Sequence, residues 1–184
     1  MAVKAESIII NNRKFSEYIS NDRIINEIER LGREISADFN GRRPLLVVIL
    51  NGAFMFAADL VKELQMDVRI TFIKVSSYEA MASSGNVKSL IGLAEDISGQ
   101  DIILVEDIID SGLTLRKVLS EMKDLGASSV TVASLLRKAG KGHEDLPVDY
   151  VGFDISDRFV VGYGLDLDGI GRNLKHIYAL QDGA

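Results

Sequence analysis

Glu106 and Asp107 stand side by side, and Asp110, Ser111, Gly112 and Thr114 follow them within a few residues. A loop with Gly112 and two hydroxyls that opens a helix offers backbone N–H groups, and the positive end of the helix dipole, to a phosphate. Ser111 and Thr114 add hydroxyl donors. Glu106 and Asp107 cannot serve the phosphate, because like charges repel. They suit hydroxyls, such as those of a ribose, or a hard cation such as magnesium. A ligand with a phosphate at one end and a diol or metal at the other, such as a sugar phosphate, satisfies both halves of the loop.

The flanking sequence positions these groups. Asp101-Ile102-Ile103-Leu104-Val105 is an apolar run of the kind buried on both faces in a parallel sheet. After the loop, Leu115, Val118, Leu119, Met122 and Leu125 recur at helical spacing, and Gly126 ends the helix. The unit is strand, loop, helix. In open α/β sheets the carboxyl ends of the strands carry the ligand.

Alone, two acids solvate a turn, and Ser-Gly-x-Thr caps a helix. Together at a strand end they favour a site. Val105-Glu106-Asp107-Ile108-Ile109-Asp110-Ser111-Gly112-Leu113-Thr114 also resembles the phosphoribosyl pyrophosphate (PRPP) motif of the type I phosphoribosyltransferases, in particular their hypoxanthine-guanine branch. The resemblance runs from about Leu45 to Ile177. The expected fold is α/β: a twisted, mostly parallel sheet flanked by helices, with a small hood built from the two chain ends.

The 184 residues suit one domain, 1–184, with a substantial core. The net charge of −6 argues against a nucleic-acid partner held by counterion release. There are no cysteines, hence no disulfide and no thiolate chemistry, which fits a cytoplasmic protein. No apolar run reaches membrane-spanning length, and the first residues lack the apolar core of a signal peptide. Only Pro44 and Pro147 interrupt the chain, so no proline-rich linker divides it.

In chain order, Ser7–Ile10 is a short strand, and Ser20 caps a helix with Ile24, Ile28, Leu31 and Ile35 on its apolar face. Leu45–Leu50 is a buried strand ending in Asn51-Gly52-Ala53, with a helix from about Phe54 to Leu64. Val68–Phe72 alternates as a strand. Ser76–Asn86 is small and polar, and reads as a lid; Val87–Leu93 flanks it as a returning strand. Ser129–Leu136 is a strand with Arg137 and Lys138 at its end. Phe159, taken alone, reads as core. His143 and His176 lack metal-ligand spacing and carry no assignment.

The resemblance implies roles for several of these positions. Asn51 and Gly52 lie where the family binds pyrophosphate; a basic residue is common where Asn51 stands, so contact there would run through backbone N–H groups. Ser77 and Tyr78 match a Ser-Tyr pair on the family's flexible loop. Glu106 and Asp107 would meet the ribose or its metal; Ser111, Gly112, Leu113 and Thr114 the 5-phosphate. Asp110 would sit beside the imidazole side of the base as the catalytic acceptor. Lys138 matches a lysine that reads the purine oxo group, Phe159 an aromatic that stacks on the purine, and Val160 a backbone contact to the base edge. Asp166 matches an acid that meets magnesium, Arg172 a pyrophosphate contact. The implied reaction joins hypoxanthine or guanine to PRPP, giving IMP or GMP and pyrophosphate. Mg2+ is the implied cofactor, and a homodimer or homotetramer the implied assembly.

Two other classes compete. Some transcription regulators keep this fold and its phosphoribosyl site as a binding module, but they add a DNA-binding domain, for which this chain has neither room nor a basic patch. Leu165-Asp166-Leu167-Asp168-Gly169 echoes the Asp-x-Asp start of haloacid-dehalogenase phosphatases, but that motif normally lies near the N-terminus. The glycines from Gly162 to Gly171 lack dinucleotide-site spacing.

Overall fold

The computed structural model describes residues 7–75, 90–141 and 145–181. The expected lid, with Ser77 and Tyr78, lies outside the described residues, as does His143.

The elements are β1 (Ser7–Ile10), β2 (Arg13–Ile19), α1 (Asn21–Asp38), β3 (Leu45–Leu50), α2 (Phe54–Glu63), β4 (Arg69–Val75) and β5 (Leu90–Ile91), then β6 (Asp101–Ile109), α3 (Leu113–Asp124), β7 (Ser129–Lys138), β8 (Tyr150–Ile155), β9 (Val160–Val161) and β10 (Ile177–Leu180). One sheet has the order β5-β4-β3-β6-β7-β8. Its β4, β3, β6, β7 and β8 pair in parallel, and β5 closes the edge antiparallel to β4. The second sheet, β1-β2-β10-β9, pairs antiparallel and is the hood drawn from both ends of the sequence.

The apolar runs account for the centre of the first sheet. Leu46 and Val48 of β3, with Ile103 and Val105 of β6, pack against α1 and α2 through Ile24, Ile28, Leu31, Phe56 and Leu60. Leu45, Val47, Ile102 and Leu104, alternating with them, pack on the other face against Leu115, Val118 and Met122 of α3. Strands buried on both faces read as continuous apolar runs. The stripe expected on the first helix is the buried face of α1, and Ser20 accepts a hydrogen bond from the Arg23 N–H at 3.4 Å as its N-cap.

The hairpin of β1 and β2 adds a strand to the sequence reading. Asn11 and Asn12 both have positive φ, 48° and 60°. That is the geometry of a two-residue primed turn, which asparagine tolerates and which suits the twist of paired strands. The strand expected over 129–136 runs on to Lys138, so Arg137 and Lys138 are its last members.

Candidate active site

Strand register brings the chemistry together. β6 and β7 pair with Ile109 opposite Arg137, and β7 and β8 with Lys138 opposite Ile155. Asp110 and Lys138 therefore emerge side by side at the carboxyl ends of neighbouring strands. Lys138 is buried, and its Nζ donates to Asp110 Oδ2 at 3.0 Å. The same ammonium lies 3.3 Å from Asp157 Oδ1, and Lys141 forms an ion pair with Asp157. An ammonium out of water needs such carboxylate partners.

Glu106 and the residues from Ile108 to Leu115, which are the end of β6, the turn after it and the first turn of α3, line a cavity of about 110 Å³. Gly112, at φ 73°, occupies the N-cap position of α3 and supplies no side-chain cap. Only glycine takes that left-handed conformation without steric cost. Ser111 and Thr114 are exposed, and Leu113 turns its side chain to solvent. The start of α3 thus lacks a side-chain cap from its N-cap residue, and the Leu113 N–H reaches Ser111 Oγ at 3.5 Å. Helix α2 also opens without a side-chain cap, at Ala53, directly after the turn that carries Asn51 and Gly52. Its strand, β3, is the neighbour of β6, so two uncapped helix starts lie at one rim of the sheet.

Glu106 is buried, and its Oε2 has no hydrogen-bond partner. Burial, with the neighbouring Asp107 charge adding to it, pushes the Glu106 carboxyl well above the usual carboxylate range. Burial raises Asp107 too, against the pull of Arg172 and of local hydrogen bonds. The backbone of the 51–53 turn runs beneath Asp107, and that of Gly164 approaches the carbonyl of Gly52. Arg172 donates to the Gly164 carbonyl at 2.7 Å and pairs with Asp166 at 2.5 Å. Asn51 is exposed, and its peptide bond with Leu50 is cis.

The hood strand β9 follows Asp157 closely in the chain. Phe159 is 43% exposed, so it is not core, as its type alone suggests, but presents an open ring. The buried Phe15 of β2 backs it, with ring centroids 6.4 Å apart. Val160 is on β9, an edge strand bonded only to β10, which leaves the other backbone edge outside the sheet. The Asp-x-Asp echo falls in a hood turn: Asp166 accepts from the Gly169 N–H at 2.6 Å, and Asp168 is reached by Asn11 at 3.2 Å. Neither is at the end of a central strand, where a phosphatase nucleophile would stand.

Sequence reasoning did not single out Asp157, Lys141 or Phe15. The first two were legible only through register, once Lys138 was known to end β7. Phe15 was hidden with β2, whose signal is the Asn-Asn pair.

The family model described as phosphoribosyl transferase domain matches residues 15–168. The chain belongs to this family. Among phosphoribosyltransferases, it is 39% identical over 164 residues to the hypoxanthine-guanine phosphoribosyltransferase of Bacillus subtilis, covering 89% of this chain and 91% of that one. The crystal structure of a hypoxanthine-guanine phosphoribosyltransferase from Bacillus anthracis superposes with a TM-score of 0.79 at 36% identity, over 90% of this chain and 96% of that chain. The bifunctional protein TilS/HprT of Listeria innocua is 42% identical over 164 residues, 89% of this chain. The chain spans only 25% of that protein's length. The mostly parallel sheet with flanking helices and an antiparallel hood is the phosphoribosyltransferase architecture expected from the sequence.

Proposed function

We propose that the chain works as a single phosphoribosyltransferase domain in purine salvage, transferring the 5-phosphoribosyl group of PRPP to hypoxanthine or guanine to give IMP or GMP and pyrophosphate. The observation that carries this reading is the buried Lys138 beside Asp110, one strand away from a helix start whose N-cap, Gly112, gives no side-chain cap. A buried ammonium is a donor with no acceptor, so it suits a six-oxo group and opposes an amino group.

Ser111, Gly112, Leu113 and Thr114 would hold the 5-phosphate, and Glu106 and Asp107 the ribose hydroxyls. Phe159 would stack on the purine, and the Val160 backbone would meet its edge. Asp110 would sit beside the imidazole side of the base and accept its proton. Asn51 and Gly52, through backbone groups, and Arg172 would hold the pyrophosphate as it leaves. Ser77 and Tyr78 would close over the reacting groups. The reaction passes through a ribosyl-cation-like state, so orientation and fixed charge supply most of the catalysis.

The residues fit Mg2+. The orphaned Oε2 of Glu106 beside Asp107 is a hard oxygen donor set in search of a partner. Among the described residues, no group of three or more acidic or histidine side chains forms a ready cage. That suits an ion held by one or two carboxylates and completed by substrate oxygens. Glu106, Asp107 and Asp166 are the residues that would hold it. When bound, Mg2+ supplies positive charge to the pyrophosphate leaving group.

We further propose that the enzyme acts in the cytoplasm as a homodimer or homotetramer, which size-exclusion chromatography with light scattering tests for assembly. No helix among the described residues is long and apolar enough to cross a membrane. The deciding experiment for the activity is turnover of each common nucleobase with PRPP and Mg2+. The expected result is product from hypoxanthine or guanine and none from adenine; no turnover with any base would leave only a binding module.

A further inference from the structure

Lys138 does not stand in the site with one partner. β6, β7 and β8 are adjacent and parallel, and each contributes a charge at or just beyond its end: Asp110, then Lys138 with Lys141, then Asp157. The Lys138 ammonium is held between Asp110 at 3.0 Å and Asp157 at 3.3 Å. Lys141 pairs with the second oxygen of Asp157, while its Nζ lies 4.0 Å from Asp110 Oδ1. Two cations and two anions thus alternate around a ring. Placement is set by the backbone: the Ala139 N–H donates to the Ile155 carbonyl at 2.9 Å, and the Arg158 N–H to the Ser156 carbonyl at 2.7 Å. These bonds fix the two turns that present Lys141 and Asp157.

We infer that Asp157 and Lys141 are positioning residues for base recognition, which keep the Lys138 ammonium shared between two carboxylates instead of committed to Asp110 alone, so that both can turn to the purine. This rests on the oxopurine reading of Lys138 and Asp110. A lysine with a single carboxylate neighbour closes on it, and an ion pair desolvated on one side is hard to open. Asp110 would then be occupied by Lys138 instead of by the ring N–H, and Lys138 by Asp110 instead of by the oxo group. Asp157 weakens that commitment by taking a share of the ammonium, at 3.3 Å against 3.0 Å to Asp110. Lys141 limits that share, since it engages Asp157 on its far oxygen. Side chains of Asp110 and Asp157 are about half exposed, 53% and 55%, so water can occupy their remaining lone pairs until base arrives. The ring therefore divides the ammonium between two carboxylates, and Asp157 and Lys141 act on base through Lys138 and Asp110.

The test is steady-state kinetics of Asp157→Asn and Lys141→Met beside the native enzyme, with hypoxanthine and guanine each varied against PRPP. Asp157→Asn is expected to lower kcat/KM for the oxopurines about tenfold, mainly through a higher KM for base. The KM for PRPP should stay within about twofold. Lys141→Met is expected to shift the same parameters in the same direction and by less. Melting temperatures close to native would separate positioning from loss of fold. Native turnover with unchanged kinetics in Asp157→Asn would overturn this inference alone. Equal losses toward base and PRPP would also overturn it, as a general distortion. Absence of oxopurine turnover in the native enzyme would instead sink the reading on which it rests.

Discussion

Gly52 and Asp107 are in such close contact that a Cβ built on the glycine would overlap Asp107 Oδ2. The β3–α2 turn and the acidic pair at the end of β6 are thus one packed unit, although they are far apart in sequence. The obstacle is a side-chain carboxylate, and burial together with hydrogen bonds to Glu106 and to the backbone at Ile108 limits how far it can swing away.

We predict that Gly52→Ala displaces Asp107 or the turn and weakens PRPP binding at least tenfold. Titration calorimetry with PRPP and Mg2+ measures it. Native affinity in the variant would show that the turn and the acid move independently of the ligand.

A second prediction concerns Glu106 and pH. Its carboxyl is raised by burial first and by Asp107 second. The folded chain therefore holds this proton to higher pH than the unfolded chain, whose glutamates titrate at about 4.3. Stability is lost as pH climbs from that value through the raised one. Glu106→Gln removes the ionisation while keeping the shape. The variant should melt higher than native at pH 7–8, with the gap shrinking toward pH 4, and should bind PRPP more weakly. Tm measured across that range decides; a gap independent of pH would sink the argument. Such gains are common where function holds like charges together.

Lys138→Ala should cost the oxopurine reaction about 2–4 kcal/mol of transition-state stabilisation, the scale of losing one preorganised donor. Native enzyme should ignore adenine, because a desolvated donor facing a donor leaves both unpaired. If kcat/KM for hypoxanthine and guanine stays within about threefold, a difference below 1 kcal/mol, Lys138 does not read the base.

The fourth prediction concerns the loop behind Arg172. Tyr163 is buried with φ 49°, and its hydroxyl donates to Asp59 on α2. Burial, with the Asp59 hydrogen bond and charge, pushes the phenol above its ordinary range. Tyr163→Phe should lower stability by about 1–2 kcal/mol, with Asp59 still paired to Lys62 at 2.5 Å. Because Gly164 follows and accepts from Arg172, the KM for PRPP should rise as well. Chemical denaturation and kinetics report the two effects. A stability loss with unchanged PRPP kinetics would confine the hydrogen bond to scaffolding.

What the sequence disclosed followed from how local its signals were. The runs at 45–50 and 101–105, the latter extended to Ile109 in β6, and the helical stripe of Ile24, Ile28, Leu31 and Ile35 depend only on neighbours along the chain. The strand–turn–helix around Gly112 was legible for the same reason, since strand, glycine and helix start are contiguous. Phe159 was not, because its exposure depends on Phe15 and β2 arriving from the other end of the sequence. Asp157 and Lys141 were hidden by register: residue type suggests a solvated turn, and only the pairing of β7 with β8 turns them toward Lys138.

The hood has a consequence for the order of assembly. β2 lies between β1 and β10, and β9 reaches the sheet only through β10. As the polypeptide leaves the ribosome, Arg13–Ile19 emerges early and Ile177–Leu180 very late. The early hairpin must wait with one edge open while the parallel sheet is made. Long-range pairings of this kind are the slow ones, since they carry the largest loop-closure cost. The part of the hood that bears Phe159 and Val160 is therefore the last part of the molecule to close, and a chain cut short before β10 would have the turn of Asp110–Gly112 without the strand to which β9 pairs.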